Sequence, residues 1–222
     1  MSTTPHTPVR VAVLLSGEGT TLESLCERID AGDVPGHVVL VLSSRAEAGG
    51  LVRARRRGIP AVAVPRKAYR DAREFNDALH TELARHEVDL VACLGFLSPF
   101  ELRGRFEGRA LNTHPALIPA FCGKGFYGHI VHEAVLAHGC KVTGCTVHFA
   151  DNEYDHGPII IQRTCPVLDD DTPETLAARI FKEECIAYPE AIRLFREGRL
   201  RIEGARVRIG PPPADEHPSR PP

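Results

Sequence analysis

An amide and an imidazole stand two residues apart in Asn112-Thr113-His114-Pro115, directly after the apolar run Arg109-Ala110-Leu111. On an extended strand side chains alternate, so Asn112 and His114 project to one side of a sheet and Thr113 to the other. Pro115 and Pro119 stop the strand and turn the chain into a glycine-broken loop at Gly123, Gly125 and Gly128. A neutral N–H donor beside a titratable one suits acyl chemistry: one holds a carbonyl oxygen as it gains charge, the other moves a proton. A histidine at a strand end commonly only packs, so its partners decide the reading. Asp155, in Asp155-His156-Gly157-Pro158, is a partner of the right kind. A buried carboxylate beside His114 would hold an imidazolium and raise its proton affinity. Alone, Asp155 reads as a turn former. Thr113, facing the other way, reads as packing.

Three other groups bear on chemistry. Ser16-Gly17-Glu18-Gly19-Thr20-Thr21-Leu22 joins a predicted strand to a predicted helix, where backbone N–H groups and the helix dipole favour an anion. It lacks the Lys-Ser/Thr of a Walker loop, and Leu22 stands where GxGxxG needs its last glycine. Two hydroxyls and two helix-start amides at Thr20 and Thr21 suit one phosphate monoester, although an ordinary βα turn would look the same. His129 and His132 are three apart on a predicted helix, with His138 and His148 close in sequence, a spacing that can chelate a metal. No HExxH occurs and no cysteine shares the spacing, so the expectation is no metal, with His129 or His132 meeting an anionic substrate or facing solvent. Ser16 and Ser98 lack a nucleophile elbow and no Cys-His pair is evident, so covalent catalysis has no support. The Gly123–Gly128 loop is expected to act as a lid.

The elements that would position these groups follow from periodicity. Val9–Leu15, His37–Ser43, Ile59–Pro65, Val88–Gly95 and Arg109–Thr113 are predicted strands, with helices at Thr21–Ala31, Ala46–Arg57 and Asp71–His86. They recur at roughly 20- to 28-residue intervals, as right-handed βαβ crossovers require. The expected fold is therefore α/β, a doubly wound and mainly parallel sheet, with ligands beyond the carboxyl ends of its strands. A C-terminal extension mixes a helix at 128–138, strands at Val142–Ala150 and Pro158–Val167, a long helix from Pro173 with Thr172 as N-cap, and a ribbon over Leu200–Ile209. One domain over 1–209 is expected, with a proline-rich, disordered tail over 210–222.

The 222 residues, 43% hydrophobic and 25% charged with net charge −2, describe an ordinary globular chain with no call for a nucleic-acid or membrane partner. The one basic cluster, Arg53, Arg55, Arg56 and Arg57, reads as a solvated helix end. Seven cysteines form no CxxC pair, which points to free, mostly buried thiols in a reducing compartment. With no signal-like or membrane-spanning run, a cytoplasmic location is expected.

Taken together, Ser16-Gly17-x-Gly19-Thr20-x-Leu22, Leu111-Asn112-x-His114-Pro115-x-Leu117-x-Pro119, Thr146-Val147-His148-Phe149 and Asp155-x-Gly157-Pro158-Ile159-Ile160-x-Gln162 resemble the phosphoribosylglycinamide formyltransferase family, from about Val9 to Ile209. The resemblance implies transfer of the formyl group of 10-formyltetrahydrofolate, as co-substrate, to the amine of glycinamide ribonucleotide in purine synthesis. It implies Asn112, His114 and Asp155 as the catalytic trio, and Gly17, Gly19, Thr20 and Thr21 as the phosphate loop. Glu184 would meet the amine substrate. Arg73, Phe96, Leu97, Asn112 and the turn Asp151, Asn152, Glu153, Tyr154 would meet the folate. Thr21 stands where the family commonly has Asn, the segment after Phe96 is shorter than the common form, and the loop after Pro119 is longer. The partners implied are small molecules, in a monomer or homodimer. A formyltetrahydrofolate hydrolase would be expected to carry an N-terminal regulatory domain, and only eight residues precede the first strand. A methionyl-tRNA formyltransferase would be expected to carry a C-terminal nucleic-acid domain in place of the proline tail. A sugar-nucleotide formyltransferase fits a monophosphate loop poorly, and a non-catalytic binding module has no need of the Asn112–His114–Asp155 trio.

Overall fold

The computed structural model describes residues 7–212; the predicted tail beyond residue 212 lies outside them. Strands β1 (Val9–Leu15), β2 (Gly36–Ser43), β3 (Ala61–Ala63), β4 (Leu90–Cys93), β5 (Ala110–His114), β6 (Val142–Phe149), β7 (Ile159–Pro166), β8 (Leu200–Glu203) and β9 (Arg206–Ile209) form one sheet in the order β3-β2-β1-β4-β5-β6-β7-β9-β8. The pairs among β1 to β5 are parallel, while β6 and β7 continue the sheet antiparallel. Helices are α1 (Thr20–Asp30), α2 (Gly49–Arg56), α3 (Ala72–Ala84), α4 (His129–Ala137) and α5 (Pro173–Arg196).

Alternation along the strands separates two cores. Val9, Val11, Val13 and Leu15 of β1, Leu90 and Ala92 of β4, Leu111 of β5 and Val147 and Phe149 of β6 pack with Leu22 of α1, Leu51 of α2, Val135 of α4 and Ile180 and Tyr188 of α5. Ala12 and Leu14, Val91 and Cys93, and Ala110 pack against Phe75, Leu79 and Leu83 of α3 on the other face. Strands buried on both faces read as continuous apolar runs, which is why the first half is legible in the sequence. The Tyr188 hydroxyl donates to the Leu111 carbonyl at 2.9 Å and fixes α5 against β5.

The structure shortens two predicted elements. Strand β3 covers three residues rather than Ile59–Pro65, because Pro60 and Pro65 cannot donate to a ladder. Helix α2 begins at Gly49 rather than Ala46, because Ala48 is extended as its N-cap. At the junction Gly50 lies where an added Cβ would come within 2.5 Å of Leu15, and a Cβ on Gly19 would come within 2.6 Å of the Gly50 Cα. The glycines therefore serve the close approach of α2 to the β1–α1 turn. Thr172 and Thr175 close a capping box on α5, whose helix runs on through Pro189 to Arg196. In the basic cluster, Arg57 pairs with Glu23 and Asp30 and Arg53 donates to the Glu18 carbonyl, so it ties α2 to α1. Among the described residues no helix is long and apolar enough to cross a membrane.

Candidate active site

The carboxyl ends of β1, β2, β4 and β5 open into a cavity of about 940 Å³, lined among others by Thr20, Thr21, Phe96, Leu97, Asn112, His114, Asp155 and Glu184. Strand parity sorts these groups. Asn112 and His114 share the α3 side of the sheet with Ala110, and Thr113 turns with Leu111 toward α1 and α5.

Asp155 sits at the hub. Its Oδ2 accepts the Gly123 N–H at 2.9 Å and lies 3.4 Å from His114 Nδ1, and its Oδ1 accepts Asn112 Nδ2 at 3.2 Å. The residue takes φ +53°, a left-handed conformation that aspartate tolerates better than most. Two residues on, a Cβ at Gly157 would lie 1.9 Å from the Phe149 carbonyl, so only glycine lets the turn return against β6. Burial pushes the Asp155 carboxyl up, but the neighbouring His148 and His114 and the Gly123 amide outweigh it and hold the group below its ordinary range.

His114 is 3% exposed, and its Nε2–H donates to the Phe121 carbonyl at 2.8 Å. Burial lowers its proton affinity more than Asp155 and Phe121 raise it. This qualifies the expectation that Asp155 holds a proton on His114: the carboxylate does raise the proton affinity, but desolvation outweighs it. Both ring nitrogens nevertheless face oxygen acceptors. A proton arriving at Nδ1 finds the Asp155 anion already in place.

Asn112 is paired across the sheet with His148. The His148 Nδ1–H donates to the Phe149 carbonyl at 2.8 Å, leaving the Nε2 lone pair to accept from Asn112 Nδ2 at 3.0 Å. This assigns the Asn112 amide, since the reversed amide would set its oxygen against the Asp155 anion. His148 is thus an orienting residue missing from the candidate set. Its only signal in the sequence is the Thr146-Val147-His148-Phe149 motif, which does not give the antiparallel register.

Thr113 corrects the reading that it merely packs. Its hydroxyl donates to Glu184 Oε1 at 3.2 Å, and both side chains line the cavity. The parity holds, but the opposite face of β5 carries α5 rather than inert core. Glu184 is 9% exposed, and burial drives its carboxyl up to about 7 against the pull of Thr113.

Thr20 and Thr21 line the cavity at the start of α1. Gly17 and Gly19 do not: the Gly17 carbonyl accepts the Gly50 N–H at 3.1 Å, and Gly19 is the left-handed N-cap of α1. Arg45, which follows β2 and belongs to no motif, lines the cavity with Thr20 and Thr21. Phe96, Leu97 and the turn 151–154 line it too. Phe96 stacks on Phe75 of α3 at 6.3 Å, and Asn152 is partly committed, its Oδ1 accepting the Leu102 N–H at 3.2 Å. The Leu97 N–H donates to Ser16 Oγ at 2.8 Å, joining the glycine loop to this segment. Arg73 departs from expectation: it is exposed in the first turn of α3 and does not line the cavity. The glycine loop 123–128 does line it, with Gly123 held by Asp155.

Of the histidines considered for a metal, His129 is exposed 3.8 Å from Glu174, and His132 is buried with its ring 6.4 Å from that of His129. Among the described residues no three His, Cys, Asp or Glu side chains are grouped to hold a metal ion. The seven cysteines are free, four of them buried.

A family model described as Formyl transferase matches residues 9–192. The chain is 36% identical over 197 residues to a phosphoribosylglycinamide formyltransferase of Haemophilus influenzae, covering 87% of this chain and 90% of that one. It is 41% identical over 194 residues to the chloroplastic enzyme of that name from Vigna unguiculata, covering 86% of this chain and 62% of that longer protein. The crystal structure of glycinamide ribonucleotide transformylase 1 from Symbiobacterium toebii superposes with a TM-score of 0.86 at 45% identity, covering 94% of this chain and 96% of the other. A formyltetrahydrofolate deformylase from Burkholderia mallei, 24% identical with a TM-score of 0.79, shares the fold. With its sheet order, its Asn112–His114–Asp155 cluster and these relatives in agreement, the chain belongs to the phosphoribosylglycinamide formyltransferase family of formyl transferases.

Proposed function

We propose that the chain transfers the formyl group of 10-formyltetrahydrofolate to the amine of glycinamide ribonucleotide. The observation that carries this reading is His114, with its Nδ1 3.4 Å from Asp155 Oδ2, set at one cavity with Thr20, Thr21, Arg45 and Glu184. Thr20 and Thr21 belong to α1, Glu184 to α5 and Thr113 to the same side of β5, so the amine substrate would lie over the α1–α5 face. Its phosphate would rest on the α1 amides and Arg45. Phe96 packs with the α3 core, as does Ala150 before the 151–154 turn, so the folate would enter from the α3 face.

Attack of the amine on the formyl carbon gives a tetrahedral oxyanion and a nitrogen that must lose a proton. His114 Nδ1 takes that proton, directly or through a water held by Asp155, and the imidazolium so formed pairs with the carboxylate. The same proton then goes to the departing folate nitrogen. The oxyanion draws on the Asn112 amide, which must exchange one of its present partners, His148 or Asp155, to donate. His114→Ala should fold and lose at least about 100-fold in kcat. Product formed only when glycinamide ribonucleotide is added separates this reading from hydrolysis of the formyl folate; formate release without the amine would overturn it. Free thiols fit a reducing compartment, and the plant relative's name places that protein in chloroplasts.

A further inference from the structure

Resting on that reading, we infer that His132 is a further substrate-binding residue, its Nε2–H donating to a neutral oxygen of the amine-bearing substrate. The ring is 5% exposed and lines the cavity, yet its Nδ1 is the one buried side-chain nitrogen or oxygen without a hydrogen-bond partner among the described residues. Nε2 has no hydrogen-bond partner among the described residues either, but it is not sealed, and it is the ring nitrogen left open on a residue that lines the cavity. Its neighbour His129 meets it edge-on at 6.4 Å between ring centres, without a hydrogen bond, and offers no partner.

The tautomer follows from the burial. An unsatisfied buried donor is rarer than an under-used acceptor, so the sealed Nδ1 keeps its lone pair and the proton sits on Nε2. The nitrogen left to face the cavity is therefore a neutral donor. Burial, with His129 and His114 nearby, lowers the ring's proton affinity to about 4, so it carries no charge for a phosphate. Within an anionic substrate this leaves a hydroxyl or carbonyl oxygen, rather than the phosphate, as the partner.

The face assigns the substrate. Helix α4 packs through Val135 into the core shared with α1 and α5, the side that carries Thr20, Thr113 and Glu184. The folate side, with Phe96 against α3, is across the sheet. Two oxygens of the amine substrate fit the chemistry equally: a pentose hydroxyl and the glycinamide carbonyl.

The test measures calorimetric affinity and KM for glycinamide ribonucleotide in His132→Leu, His132→Gln and His132→Asn. Leu should weaken the amine substrate about tenfold and leave the KM for formyl folate unchanged. Gln, whose amide reaches as far as Nε2, should recover most of the loss; Asn, which reaches only as far as Nδ1, should not. Substrate analogues lacking one pentose hydroxyl, or with the glycinamide carbonyl reduced to methylene, locate the oxygen: the Leu penalty disappears only with the analogue that lacks it. Unchanged affinity in the Leu variant, equal recovery by Asn, or a penalty that persists with every analogue overturns the inference. If Leu lowers stability, the Gln–Asn comparison still decides. A wild-type enzyme that ignores glycinamide ribonucleotide would instead overturn the proposed function.

Discussion

Replacing Glu184 with Gln should make the ligand-free protein more stable above neutrality and leave it nearly unchanged in acid. Burial raises this carboxyl from an ordinary 4.5 to about 7, with the Thr113 hydroxyl as its one opposing hydrogen bond. A raised acid binds its proton more tightly folded than unfolded. Wild-type stability is therefore fully present below about 4.5, falls as pH climbs through about 7, and is flat beyond. At about 1.4 kcal/mol per unit, the whole shift amounts to about 3 kcal/mol. The glutamine side chain of Glu184→Gln has no charge to desolvate, and Thr113 can still donate to its carbonyl. Its extra N–H₂ adds a cost that does not change with pH, so the diagnostic quantity is the pH dependence rather than the absolute difference. Urea unfolding of both proteins from pH 5 to 9 should show the variant gaining on the wild type steadily up to about pH 7. A difference that stays constant across that range would refute the burial argument. The same variant should bind glycinamide ribonucleotide more weakly, the usual exchange of stability for function at a site.

Asp155→Asn removes the anion that stabilises protonated His114 and should lower kcat by about 100-fold or more in single-turnover assays, with the fold retained by circular dichroism. Arg45→Ala should raise KM for glycinamide ribonucleotide about tenfold to a hundredfold, yet leave the dephosphorylated analogue unaffected; an equal loss on both would remove Arg45 from the phosphate site. Gly157→Ala forces a Cβ into the Phe149 carbonyl and should cost at least about 2 kcal/mol in thermal unfolding, with activity falling as the Asp155 turn shifts.

What the chain shows in one dimension is what lies along one strand or one helix. The β1, β4 and β5 runs, the Thr172 cap and the same-side placement of Asn112 and His114 are local and therefore legible. His148 escapes such a reading because its role depends on which residue of β6 stands opposite Asn112. Thr113 is taken for packing because parity gives a face but not what lies on it. Arg45 has no motif, only a place after β2 that the strand order brings beside α1. Gly19 looks like a ligand contact, whereas the nearer demand on it is the approach of α2, and Gly17 meets α2 only through its carbonyl. Arg73 matches a family position by resemblance, and the first turn of α3 holds it in solvent. The charge state of His114 depends on burial, which no spacing reveals.

The separation of β5 into two sides also governs how this enzyme could change. Asn112 and His114 belong to one helical layer and Thr113 with Glu184 to the other, though only one residue lies between them in the chain. Substitutions on α4 and α5 can reshape the pocket for the accepting amine while the one-carbon donor and the proton relay stay as they are. New acceptors are thus reachable by drift in a single layer.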